Sequence, residues 1–451
     1  MKRLTHLLSL VLVMLVITQC DPGMTERKPD SGQADFSSFV AIGNSLTAGY
    51  ADNALHRDGQ LNSFPAIMAK QMQEAGGGDF FQPLVNPGVG SNATGQARLI
   101  LRVTMGPDGN PTLAPGPAAP QGQDIFSRKQ EGPFNNMGIT GARSFHLLVP
   151  GYGNLNPFFG RIMSGPTATV LGDAMMAEPT FFSLWIGNND VLAYATSGGA
   201  GQGFVELGDP AAVAGNDITP KNVFDGSIEA ITATLAGSGA KGVVINIPNV
   251  TSIPFFTTVP WNGLVLSAEQ AQMLRAGYAA QGVPEPLIPD FKAGPNGWII
   301  ENPDSPIGLS MAQQGELILL SVPQDSLRNA GWGSLKPIPD QYTLRLSQIG
   351  EINQATQAFN EKLQAMAGNF GFPFVDVNGV LQTAATQGLV FDAVQLRTTF
   401  VQGGIFSLDG VHLTPRGSAV VANVVMDAIN QAFGSTLSPV NISAYDGVQF
   451  P

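Results

Sequence analysis

The 451-residue chain contains one cysteine, Cys20, which excludes disulfides within the chain, thiolate zinc clusters and redox pairs. Charge is scarce too. Only 12% of residues are charged, and 34 acidic residues against 22 basic ones leave a formal net charge of −12. No basic stripe is present to follow a phosphate backbone, so nucleic acid is not an expected partner. Histidine occurs four times. There is no His-Glu-x-x-His, no paired-cysteine spacing and no calcium loop, so neither metal nor cofactor is expected.

What is present is apolar and rich in turns. Hydrophobic residues make up 43% of the chain, enough for a large core, and Gly 54 with Pro 33 points to long, ordered loops rather than disorder. Lys2 and Arg3 followed by an apolar run over residues 7–17, too short to span a bilayer, read as a secretory signal peptide over residues 1–20. Ile17-Thr18-Gln19-Cys20 resembles a bacterial lipobox, with Gln19 larger than the usual residue, and makes Cys20 a candidate lipidation site. The implied protein is exported and held to a membrane by an N-terminal lipid, facing the periplasm or cell surface. Residues 21–34 are polar and turn-rich, as a tether would be, and the folded domain is expected over 35–451.

Within that domain apolar runs alternate with helical periodicities. Strands are expected at 39–42, 80–85, 181–186, 242–247 and 372–377, and helices at 64–74, 222–236, 346–368 and from Thr414-Pro415 to Gly434. This alternation argues for a parallel α/β sheet covered on both faces. Two Gly/Pro-rich insertions interrupt it, at about 96–132 and 254–342. The first contains a hairpin expected to turn at Asp108-Gly109, and the second carries Trp261, Trp298, Trp332 and Tyr342 as exposed aromatic candidates.

The apolar run from Phe39 to Ile42 ends in Gly43-Asn44-Ser45, a turn that holds the Ser45 hydroxyl at the end of a strand and its N–H at the start of a helix. A serine nucleophile needs a base, and histidine suits that work near neutrality. His6 falls in the signal. Among His56, His146 and His412, only His412 stands three residues after a carboxylate, in Asp409-Gly-Val-His412, where one tight turn lets Asp409 orient the ring. His56 and His146 are expected to be structural. Oxyanion donors are available from the Ser45 N–H, an N–H in the Gly138–Gly141 turn and the Asn189 amide.

Gly43-Asn-Ser45-Leu46, Asn136-x-Gly138-x-x-Gly141, Gly187-x-Asn189-Asp190 and Asp409-x-x-His412 together resemble the four blocks of the SGNH (GDSL) hydrolase family, in order. Asn44 departs from the commoner Gly-Asp-Ser-Leu. The resemblance implies a three-layer α/β/α fold around a mainly parallel, flavodoxin-like sheet. It implies Ser45 as nucleophile, His412 as base and acid, Asp409 as its orienter, and Ser45, Gly141 and Asn189 as the oxyanion hole. The expected activity is that of an exported serine ester hydrolase of the carboxylesterase or lipase type, acting on a small-molecule, lipid or sugar ester. A carbohydrate acetylesterase and a non-enzymatic surface-binding lipoprotein on the same scaffold are the competing readings.

Overall fold

Two continuous apolar runs lie at the centre of the sheet. In the computed structural model, which describes residues 28–105 and 110–451, β1 (Phe39–Gly43) and β3 (Phe181–Trp185) are buried at every position. That is the pattern of strands covered on both faces. They run parallel, Phe39 opposite Phe181 and Gly43 opposite Trp185. β2 (Asn136–Gly138) flanks β1, while β4 (Lys241–Ile245) and β5 (Phe374–Val375) extend the sheet beyond β3. The order is therefore β2-β1-β3-β4-β5, all parallel, the flavodoxin-like order expected.

Helices enclose the sheet. Crossovers between parallel strands are right-handed, so connections on the two sides of β1 place their helices on opposite faces. α2 (Phe64–Glu74) packs against the C-terminal α7 (Pro415–Phe433), and α4 (Lys221–Gly237) packs against α5 (Leu346–Phe370). Phe224 and Phe359 stack between the latter two with centroids 3.9 Å apart. α7 starts where the sequence indicates: the Thr414 hydroxyl accepts from Gly417 N–H and Pro415 occupies the first turn.

Three expectations about the elements change. Residues 80–85 do not form a strand; Pro83 interrupts them, Phe81 is exposed, and the place beside β1 is taken by β2. The strand expected at 372–377 is confined to β5, because Asp376 caps a new helix, α6 (Val377–Thr386), by accepting from Gly379 N–H at 2.8 Å. The tether is tied down from Asp30 onward, with Gln33 donating to Phe433 O and Thr436 to Asp30 O. The signal, Cys20 and the Asp108-Gly109 turn lie outside the described residues.

The strands Leu99–Met105 and Pro111–Pro117 pair antiparallel, as the hairpin reading requires. The second insertion has its own helix, Ala268–Ala280, closed by a Ser267/Gln270 capping box, and two small apolar clusters. Trp261, Trp298, Trp332 and Tyr342 are half-buried rather than exposed. Trp298, Trp332 and Tyr342 pack against one of those clusters. Among the described residues no helix is long and apolar enough to cross a membrane.

Candidate active site

β1 delivers Ser45 to the carboxyl edge of the sheet, where parallel α/β folds bind ligands. The strand closes on Gly43, where a Cβ would lie 2.2 Å from Thr47 Oγ1 and 2.5 Å from Trp185 O. Only glycine fits there. Asn44 then caps the short helix α1 (Ser45–Ala48), its Oδ1 accepting from Leu46 N–H at 3.0 Å. The turn that brings the Ser45 hydroxyl to the end of the strand leaves it largely covered. Ser45 is 6% exposed and belongs to the wall of a slot of ≈ 40 Å³, with Leu46, Leu192, Val250, Ile253 and Leu381 among its apolar neighbours.

From 367 residues away, His412 meets it: His412 Nε2 lies 2.8 Å from Ser45 Oγ. On the other side of the ring, Nδ1 lies 2.9 Å from Asp409 Oδ2. An ionised carboxylate only accepts, so the Nδ1 proton faces Asp409 and the Nε2 lone pair faces the serine. Asp409 also accepts from Val411 N–H, His412 N–H and Ser407 Oγ on Oδ1, and from Asn53 N–H on Oδ2. Burial alone would raise its pKa, but His412 and the N–H donors outweigh it and hold the carboxyl well below the usual range. Gly410, at φ 72°, turns the chain between the two; a Cβ there would press on Leu320 and Phe255. Phe255 N–H donates to Gly410 O at 2.9 Å, so the second insertion is keyed directly to the Asp409–His412 turn.

One donor to Asp409 comes from a turn whose contact with that aspartate has no signal in the sequence. Asp52 and Asn53 both adopt left-handed backbone, at φ 52° and 62°. Such residues carry strain of about 1–3 kcal/mol each, held by their surroundings. Here the turn aims Asn53 N–H at Asp409 and Asp52 N–H at Ser407 Oγ. Asp52 itself is pushed up to about 6 by burial, against the Leu408 N–H it accepts and with the Asp409 charge adding to the rise.

The other histidines have separate tasks. His56, 4% exposed, caps a short helix by accepting from Gly59 N–H, and burial and Arg98 push it down to about 4. Its Nε2 stands 4.0 Å from Asp52 Oδ2, a second aspartate–histidine pair that the three-residue spacing passes over. His146 accepts from Arg143 N–H and stacks on Tyr152 at 4.4 Å; burial and Arg143 push it down to about 4 as well.

Of the three oxyanion candidates, Ser45 and Asn189 line the slot, whereas Gly141 does not. Gly141 follows β2 at φ 80° and is exposed. Neither its N–H nor that of Ser45 has an acceptor among the described residues. Asn189 Nδ2 donates to Ala142 O at 2.9 Å, which fixes the amide and leaves its second N–H to the slot. Asp190, fully enclosed, accepts from Ser144 N–H and Ser144 Oγ, tying α3 (Asn189–Thr196) to the segment after Gly141. Among the described residues no cluster of His, Cys, Asp or Glu is arranged to hold a metal.

The family model for the GDSL-like lipases/acylhydrolases matches residues 39–425. The chain belongs to that family. It is a GDSL-like hydrolase of ester bonds. No curated protein matches it significantly. Among solved structures, it is similar to a GDSL-like lipase from Parabacteroides merdae, with 11% identity, 89% of this chain and 99% of the other covered, and a TM-score of 0.35. An alpha/beta hydrolase from the metagenome of Lake Arreo, Spain, gives 11% identity, 88% and 96% coverage and a TM-score of 0.32. The extracellular lipase of Streptomyces rimosus gives 13% identity, 86% and 98% coverage and a TM-score of 0.29.

Proposed function

We propose that this GDSL-like hydrolase is a serine carboxylesterase that cleaves short-chain esters through an acyl-Ser45 intermediate. The observation that carries the reading is the continuous contact from Asp409 through His412 to Ser45, at 2.9 and 2.8 Å. Ser45 Oγ attacks the ester carbonyl carbon while His412 Nε2 takes its proton. The developing oxyanion is met by the Ser45 N–H and Asn189 Nδ2 of the slot; the Gly141 N–H, outside the lining of the slot, is the third donor that the family resemblance implies. Collapse expels the alcohol, which leaves with the proton from His412, and water then releases the acid by the same route. Asp409, kept ionised by its donors, favours the imidazolium formed in each half-reaction.

The slot of ≈ 40 Å³ with apolar walls favours a short acyl chain over a long one. Export and an acyl anchor at Cys20 rest on residues 1–20 of the sequence alone. The test is hydrolysis of p-nitrophenyl butyrate by Ser45→Ala. A fall in kcat of about 10⁴-fold or more is expected, and wild-type turnover by the variant would end this reading.

A further inference from the structure

The amide orientations around the nucleophile form a chain with one free end. Leu46 N–H needs an acceptor at the start of α1, so Asn44 turns Oδ1 toward it. Asn44 Nδ2 is thereby directed at Asn188, to which it donates at 3.0 Å, and Asn188 must present its Oδ1 in return. Asn44 is 1% exposed and Asn188 6%, so neither amide can rely on bulk water. The Asn188 Nδ2 group is left with no acceptor among the described residues. It is not sealed away: side-chain atoms that reach neither partner nor solvent occur at Thr47 and Ser183, but not at Asn188. Asn188 lines the slot shared by Ser45 and His412, among walls that are otherwise mostly apolar, and with Oδ1 held by Asn44 its N–H groups are the polar atoms it has left to offer there.

An unpaired donor in an apolar slot discriminates by chemistry rather than by size. A group that brings an acceptor satisfies it, and a plain methylene leaves it unpaired. The acyl group is the part that stays bonded to Ser45, in the wall of the slot, while the alcohol departs, and we take it as the part that lies along the slot. We infer that Asn188 is a specificity residue whose amide donates to an oxygen carried within the acyl chain, selecting short oxygenated acyl esters over their hydrocarbon counterparts. The inference rests on Ser45 as nucleophile, and it assigns a role to Asn44 as well. A carboxylate at position 44 would still accept from Leu46 N–H, but could only accept from Asn188 too, turning that amide over so that its oxygen faces the slot. Asn44 thus sets the polarity that Asn188 presents to substrate.

The experiment measures kcat/KM for p-nitrophenyl methoxyacetate and p-nitrophenyl butyrate, which differ by an oxygen in place of one methylene. Their difference in intrinsic reactivity cancels when the ratio is compared between enzymes. In Asn44→Asp the methoxyacetate-to-butyrate ratio is expected to fall about 10-fold relative to wild type. A ratio within twofold of wild type overturns the inference. Should Asn44→Asp fail to fold, Asn188→Leu decides by the same criterion. Ser45→Ala is the control: turnover surviving in it defeats the serine-esterase reading itself, whereas an unchanged ratio with Ser45-dependent turnover defeats only the role of Asn188.

Discussion

Two aspartate–histidine pairs lie near the nucleophile, and they differ less in sequence than in what surrounds them. Asp409 and His412 are three residues apart, Asp52 and His56 four, and all four side chains are largely buried. Asp409 collects five donors, is held well below the usual carboxylate range and touches its histidine at 2.9 Å. Asp52 accepts from Leu408 N–H, is pushed up to about 6 and stops 4.0 Å short of His56, itself pushed down to about 4. Contact with the histidine, at 2.9 against 4.0 Å, together with the N–H donors that add to it, separates an aspartate held ionised against its histidine from one that favours neutrality. The first pair points at Ser45; the second supports it, since the Asp52–Asn53 turn supplies N–H groups to Asp409 and Ser407.

The largest effect that can break this comparison comes from the histidines. His412→Ala is expected to lower kcat for p-nitrophenyl butyrate by about 10⁴-fold or more, and His56→Gln by less than about 10-fold, an indirect loss through the turn. Comparable losses from both would mean that the second pair takes part in the chemistry.

A smaller effect sharpens the contrast through stability. His56 has a folded pKa below its unfolded value of 6.5, so the stability it contributes is present above about pH 6.5 and lost as pH falls through about 4. Asp52 is the reverse: its folded pKa of about 6 exceeds the unfolded 3.8, so its contribution is present below 3.8 and lost as pH rises through about 6. Urea unfolding at pH 4.5 and 7.5 should therefore show His56→Gln reducing the acid loss of stability and Asp52→Asn enlarging it. Each change is expected to be about 1–3 kcal/mol, from shifts of about two pK units. Changes of the same sign in both variants would contradict the assignment.

Much of this site is legible in the sequence because each element carries a local signal. Gly43-Asn44-Ser45 ends an apolar run, Asp409 and His412 are separated by a turn-forming glycine, and Thr414-Pro415 announces a helix start. What is not legible depends on contacts between distant segments. Asp and Asn adopt left-handed backbone more readily than other non-glycine residues, so a turn at Asp52-Asn53 is in keeping with the sequence, but nothing local shows that it serves residues 407–409. Asn188 reads as one polar residue in a turn until Asn44 is placed beside it. The false strand at 80–85 has the same origin: an apolar run shows that a segment is partly covered, but β2, three residues long and beginning with an asparagine, wins the sheet edge through its pairing with β1.

The central claim is that Asp409, and not its neighbour Asp52, orients the histidine that activates Ser45. It is tested most directly by kcat for p-nitrophenyl butyrate in Asp409→Asn and Asp52→Asn, two substitutions that preserve shape and remove one charge each. The expected loss is about 10³–10⁴-fold for Asp409→Asn and less than about 5-fold for Asp52→Asn, whose amide oxygen can still accept from Leu408. Near-wild-type turnover by Asp409→Asn, or an equal loss in Asp52→Asn, would contradict it.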